Sequence, residues 1–212
     1  VQGLDVESHY KKMKEFLHQH GATLVDVQIP HLQLVLPAYY IIAPAEAASN
    51  LARFDGVKYT SRSQSAQTLN EIYTLSRTEF FGDEVKRRIM LGNYVLSSGY
   101  FDAYYNKARS VQAQLREEYI KAFQSCDVIL MPTAKGEAYK IGEKANPLDA
   151  YKEDIFTVSA NIAGLPAISI PFGVGKHKLP IGMQFLAPHF EEKTLCQVAS
   201  YVEKHKEDIH GV

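Results

Sequence analysis

Val6, Tyr10, Met13, Phe16 and Leu17 recur at three- and four-residue spacing and Gly21 follows as a stop, so the pattern predicts an amphipathic helix at the start of the chain. Val25, Val27 and Ile29 then alternate with polar residues up to Pro30, which reads as a half-exposed strand. From Pro37 to Asn50 the residues are small, apolar and uncharged except for Glu46, predicting a buried helix that kinks or restarts at Pro44 and is closed by Gly56. Val85, Ile89, Leu91 and Val95 mark a helix over 83–96, and Tyr104, Ala108, Val111, Leu115, Tyr119 and Phe123 mark a longer one from about Tyr100 to Phe123. DVILMP (127–132) is a short apolar run ended by proline, as a buried strand would be. Asn146-Pro147 reads as the start of another helix, and Gly164 with Pro166 as its end. AISIPFG (167–173) and PIGMQFLAP (180–188) are two further strands, and Leu195, Val198, Ala199 and Val202 define a last helix.

Helices alternating with buried strands favour a layered α/β architecture. Only four or so strands can be counted, and some of their apolar runs need cover on both faces, so the sheet is expected to be incomplete in this chain alone. No repeat, low-complexity tract or clear linker divides the 212 residues, and 46% hydrophobic content is enough to fill a packed core.

Charge and composition remove several classes of function. Lys+Arg 23 against Asp+Glu 24 leaves no excess to hold a polyanion, so strong direct nucleic-acid binding is not expected. The longest uncharged stretch, Gln28 to Ala45, is broken by Pro30, Pro37 and Pro44 and makes a poor membrane span. The N-terminus has neither an initiator Met nor a signal-peptide pattern, which suggests a chain processed or cut from something longer. Cys126 and Cys196 form no CxxC, arguing for a reducing compartment and against a structural zinc site. His18 and His20, the one close histidine pair, would point to different faces of a helix, so no metal site is expected.

Candidate chemistry is sparse. Walker, dinucleotide-binding, HExxH and GxSxG motifs are all absent. Ser97-Ser98-Gly99 invites a nucleophile assignment, yet no His lies near it in sequence, and a polar stop between two helices explains it better. Arg87 has Asp83 and Glu84 behind it, which suits an exposed ion-pair face. Arg88 has Glu84 and Val85 behind and Leu91 and Gly92 ahead, a less polar face where a guanidinium wants a fixed partner; an internal salt bridge or a bound ligand would both serve. Asp154 poses the same question, with Ala150, Tyr151, Thr157 and Val158 as helical neighbours, and a buried acid capping another element is the plainer alternative. Tyr39, among Val35, Leu36, Ile42 and Ala43, would by itself be a core residue.

At this point a resemblance adds to the pattern. LPAYYIIAPAEAASNLARFDGVKY (36–59), SRTEFFGDEVKRRIMLGNYVLSSGYFDAYYNKA (76–108), DVILMPTA (127–134), DIFTVSANIAGLPAISIPFG (154–173) and LPIGMQF (179–185) resemble the C-terminal part of the A subunits of the aminoacyl-tRNA amidotransferases, which belong to the amidase signature family. The resemblance covers nearly the whole chain, residues 1–212, but less than half of a complete subunit. It implies an α/β fold, a mixed sheet sandwiched between helices, and amide hydrolysis by a Ser–cis-Ser–Lys triad carried in the N-terminal half. No catalytic residue is therefore expected here, and this chain alone is expected to be unable to hydrolyse glutamine. Ser97 and Ser98 match a different family motif.

Glutamine is a zwitterion, so its site needs a cation for the α-carboxylate and an anion for the α-ammonium. By resemblance Arg88 holds the carboxylate, Asp154 holds the ammonium and Tyr39 contacts the substrate. The resemblance also implies partners: a tRNA-binding kinase, the B subunit, which uses ATP and Mg²⁺ to amidate mischarged Glu-tRNA or Asp-tRNA with the released ammonia, and a small C subunit. No cofactor is expected in this chain itself, and the bacterial cytoplasm or an organelle would suit it. Phe80 and Thr60 stand where the family commonly has glycine, and Lys135-Gly136 replaces a proline-containing stretch. A generic amidase-signature hydrolase acting on another small amide, or a non-catalytic binding or assembly piece with an exposed apolar sheet face, are the competing expectations.

Overall fold

The computed structural model describes residues 6–141 and 154–205, and the chain divides into two compact units, one formed by 1–36 and 112–212 and the other by 37–111.

In the first unit three strands form an antiparallel sheet: β1 (Ile129–Pro132), β2 (Ala167–Val174) and β3 (Pro180–Leu186), with β3 in the middle. Ile129 faces Leu186 in one ladder and Ile170 faces Met183 in the other. Alternation then sorts the side chains onto two faces. Ile170, Phe172, Ile181, Met183 and Phe185 form one core with Met13 and Phe16 of α1 (Glu7–Gln19) and Leu195, Ala199 and Val202 of the C-terminal helix (Glu192–His205). On the opposite face Ile129, Met131 and Leu186 pack with Tyr119 and Ala122 of a helix over Lys107–Ala122 and with Ala160 and Ala163 of a helix over Ile155–Ala163. The sheet is thus covered by helices on both sides. Pro171 and a register shift after it fall on β2, an outer strand of this sheet, where a missing N–H costs least.

The predicted strand at Val25–Ile29 is not one; 22–29 has no ladder partner, and Val27 and Ile29 instead pack half-buried onto the second core. Alternation arose from one-sided packing rather than pairing. The chain then makes a short 3₁₀ helix, Pro30–Leu34, in which the His31 backbone N–H and ring both bond the Glu118 carboxylate, at 3.1 and 2.5 Å. The helix expected from Asn146-Pro147 begins outside the described residues; what is seen starts at Ile155 and ends at Gly164, whose φ of 73° is the left-handed stop that glycine supplies.

The second unit is helical: α2 (Val35–Leu51, entering from the first unit at its first turn), α3 (Leu69–Phe80) and α4 (Asp83–Leu96), followed by a π-helical turn over Phe101–Asn106 that runs into α5 (Lys107–Ala122). The helices of the first unit after it are then α6 (Ile155–Ala163) and α7 (Glu192–His205). Pro44 lies inside α2 without ending it, and the helix stops at Leu51, short of Gly56. Its end is met from α3, where Arg77 Nη1 donates to the carbonyl of Leu51, the last helical residue, at 2.9 Å and to that of Phe54 beyond it at 3.1 Å. Helix α3 was not among the predicted elements, and its start is a capping box: the Thr68 hydroxyl accepts from Glu71 N–H and the Glu71 carboxylate accepts from Thr68 N–H. Phe80 is the last helical residue of α3 and needs no glycine, so the turn into α4 at Gly82 forms normally. Thr60 does occupy a left-handed conformation, φ 68°, where glycine would be unstrained.

Helices α2 and α4 meet at Gly92. A Cβ there would sit 2.0 Å from the Pro44 carbonyl oxygen and 2.7 Å from the Ala48 Cβ, so the two backbones approach in a way only glycine permits.

Candidate functional site

The close approach of α2 and α4 sets up the first cluster. Arg88 lies four residues before Gly92 on α4 and Tyr39 five before Pro44 on α2, and both side chains are half-buried. The Arg88 Nη1 donates to the Tyr39 hydroxyl at 3.3 Å, and Nε donates to the Glu84 carboxylate one turn back on α4 at 3.0 Å. The other Glu84 oxygen accepts from Arg87, so one carboxylate spans the two adjacent arginines. The bond to Glu84 first, and that to Tyr39 after it, hold the guanidinium above its ordinary range despite burial, so Arg88 is a permanent cation. Two of its five N–H protons are used, and among the described residues no acceptor meets the other three. Such a half-satisfied guanidinium can take a carboxylate through two parallel bonds. Sequence pattern pointed to a fixed partner for Arg88, but not to Tyr39, because residues 49 apart meet only through the packing of α2 on α4.

Asp154 belongs to the other unit and sits at the N-cap of α6. It is exposed rather than buried as its sequence neighbours suggested, and its side chain makes no capping bond; among the described residues its backbone carbonyl is engaged by Val158 N–H (2.8 Å) and the Thr157 hydroxyl (3.2 Å). Thr157 and Asn161 follow at spacing that keeps them on the Asp154 face of the helix. That face borders a cleft of ≈ 280 Å³ lined by Thr157, Asn161, Leu165, Ala167, Ser169 and Gln184 among others. Two polar residues of its lining are held by hydrogen bonds: the Ser169 and Thr133 hydroxyls bond at 2.6 Å, over Gly182, and the buried Gln184 amide donates to the Pro132 carbonyl at 3.0 Å. This pair was missed from sequence, since nothing in β2 and β3 announces that Ser169 and Gln184 are ladder partners on one face.

Other candidates resolve into structure. The Ser97 hydroxyl bonds back to the Tyr94 carbonyl at 2.7 Å where α4 ends, the geometry of a polar helix stop. Beyond it Tyr94, Tyr100 and Tyr104 stack on one another, and the bond to Tyr100 is the main reason the Tyr94 hydroxyl is pushed up to about 12. Among the described residues no group of three His, Cys, Asp or Glu could hold a metal ion, and no helix is long and apolar enough to cross a membrane.

The family can now be decided, because the profile of the family described as Amidase matches residues 3–196, through both units. The chain belongs to the amidase family. It is 50% identical over 188 residues to the A subunit of glutamyl-tRNA(Gln) amidotransferase from Halothermothrix orenii, covering 89% of this chain and 39% of that protein. It is likewise 50% identical over 205 residues to the protein of the same name from Koribacter versatilis, covering 95% of this chain and 43% of the relative. The crystal structure of the A subunit of glutamyl-tRNA(Gln) amidotransferase from Thermotoga maritima superposes with a TM-score of 0.69 at 37% identity, over 94% of this chain and 38% of that one. A further amidase structure matches at TM-score 0.71 with 20% identity over 95% of this chain and 42% of the other, a likeness of fold. The chain spans about two fifths of the length of the curated amidase relatives it matches.

Proposed function

We propose that this amidase chain supplies substrate-binding residues to a glutamine-dependent aminoacyl-tRNA amidotransferase, as part of its A subunit. The observation that carries the proposal is the Arg88 guanidinium, steered by Tyr39 and Glu84 and left with three donors unused among the described residues, in a chain half identical to proteins named as the A subunit of glutamyl-tRNA(Gln) amidotransferase. In this reading Arg88 takes the α-carboxylate of glutamine and Tyr39 fixes the arginine and borders the substrate. Asp154, an exposed carboxylate with no described side-chain partner, takes the α-ammonium. Hydrolysis of the side-chain amide belongs to residues outside this chain, so the 212 residues alone bind without turning over. The ammonia released passes to a tRNA-binding partner that activates the misacylated tRNA with ATP and Mg²⁺, and a small third protein clasps the A subunit; the assembly works in a bacterial cytoplasm or an organelle.

The test is glutamate release from glutamine by the full-length protein, with and without its tRNA-binding partner. Partner-stimulated hydrolysis that Arg88→Ala abolishes through KM supports the reading. Hydrolysis of simple amides with no preference for glutamine, unaffected by Arg88→Ala, would replace it with a generic amidase.

A further inference from the structure

We infer that Glu84 is a positioning residue for glutamine, holding the Arg88 guanidinium in the orientation that receives the α-carboxylate; this rests on the reading of Arg88 above. The geometry is specific. Glu84 Oε1 accepts from Nε at 3.0 Å, which ties down the side of the guanidinium nearest its stem, while Tyr39 accepts from Nη1 at 3.3 Å from a different helix. Two anchors on two helices fix a planar group in both tilt and direction. Among the described residues the protons left over are both on Nη2 and one on Nη1, and an incoming carboxylate can take Nη2 as its main donor.

Without Glu84 the stem of Arg88 regains its rotamers. The side chain is 38% exposed, so burial alone does not lock it, and the contact with Tyr39 is a single long bond. Freezing one such side chain at the moment of binding costs enough to weaken affinity roughly three- to tenfold. Arg87 strengthens the device by engaging the second Glu84 oxygen, which keeps the first turned toward Arg88. An acid four residues before an arginine is also an ordinary surface pair of small effect. What separates Glu84 from such a pair is that its partner carries three further donors and a second anchor on another helix.

The experiment uses the full-length protein in its complex, measuring hydrolysis of glutamine and of 4-aminobutyramide, which is glutamine without its α-carboxylate. Glu84→Ala should raise KM for glutamine roughly three- to tenfold with kcat within about twofold. It should leave KM for 4-aminobutyramide unchanged, and Glu84→Gln, which keeps an acceptor for Nε, should recover most of the loss. Asp83→Asn removes an acid from the same first turn of α4 without touching Arg88 and should change neither substrate. Equal effects of Glu84→Ala on the two substrates would overturn the positioning role in favour of helix stability. So would an unchanged glutamine KM in Glu84→Ala alongside a large rise in Arg88→Ala. If Arg88→Ala itself leaves glutamine binding intact, the reading of the site fails, and that outcome is distinct from the other two.

Discussion

Gly92→Ala adds one methyl group where α4 meets α2. The new Cβ would lie 2.0 Å from the Pro44 carbonyl oxygen, 2.6 Å from its carbon and 2.7 Å from the Ala48 Cβ, when ordinary contact begins near 3.4 Å. All three are backbone or first side-chain atoms of a helix, so nothing flexible can give way and the helices must part by about 1.4 Å. Overpacking of this kind costs about 1–3 kcal/mol, against which the better helix propensity of alanine returns roughly 1 kcal/mol. Because the clash is with rigid backbone the upper part of that range, about 2–3 kcal/mol, applies, and a net loss of about 1–2 kcal/mol is expected in urea unfolding of the full-length protein. The same separation acts one turn away on the Arg88–Tyr39 bond, which at 3.3 Å has no slack. KM for glutamine should rise with the loss of stability. Gly82→Ser is the contrast, since nothing lies within 4 Å of that Cβ and serine is a favoured N-cap. A Gly92→Ala protein with unchanged unfolding midpoint and unchanged KM would refute the close packing and its link to the site.

Further outcomes follow from single features. Thr60→Gly should raise stability by up to about 1 kcal/mol in denaturant titration, because relief of a β-branched residue at φ 68° outweighs the entropy of a new glycine; a loss would contradict the strain. Thr68→Ala removes half of the capping box and should cost about 1 kcal/mol by the same measurement. Burial pushes the Glu137 carboxyl up, but its bonds to the His177 ring and to the His177 and Leu179 backbone N–H groups outweigh this and hold it below its ordinary value of 4.5. A depressed carboxylate stabilises the fold above its unfolded pKa and loses that contribution as pH falls through the folded value, so the His177 and Leu179 amide resonances should move with an NMR midpoint below 4.5. A midpoint at or above that value would remove Glu137 as the clamp of the 175–179 turn. Cys196 is exposed, whereas burial and then the Asp127 charge push the Cys126 thiol up, so limited iodoacetamide should label Cys196 first; preferential labelling of Cys126 would contradict its environment.

Where side-chain period and chain breakers agree, sequence and structure agree. The helix with Met13 and Phe16 and the α4 helix were legible because one face of each is buried and the other is not, and the three strands because they are short apolar runs bounded by proline or glycine and covered on both faces. Val25–Ile29 misled because alternation reports one-sided burial, and a loop lying on a core shows it as well as a strand does. Pro44 lies inside α2 and does not restart it, so of the two alternatives the sequence left open the restart is excluded. Helix α3 went unpredicted although Leu69, Ile72 and Tyr73 stand at helical spacing behind the Thr68/Glu71 start signal; its apolar residues stay partly exposed and only Ser76 is fully buried. For the candidate site, the setting of Arg88 showed only that its guanidinium needs fixed partners, which Glu84 and Tyr39 are, and its role toward a substrate came from the resemblance. The turn of Asp154 toward solvent was not legible, because exposure at a helix N-cap depends on what lies across from it rather than on its own helical neighbours. Glu84 was visible as an acid four residues before Arg88, but its role emerges only once Tyr39 is seen to hold the other side of the guanidinium.

The most direct measurement is a crystal structure of the full-length protein with glutamine bound. The account predicts the α-carboxylate on the outer nitrogens of Arg88 at about 2.7–2.9 Å, with Nε still on Glu84 and Nη1 still on Tyr39. A bound glutamine whose carboxylate is held elsewhere, with Arg88 turned to solvent, would contradict it.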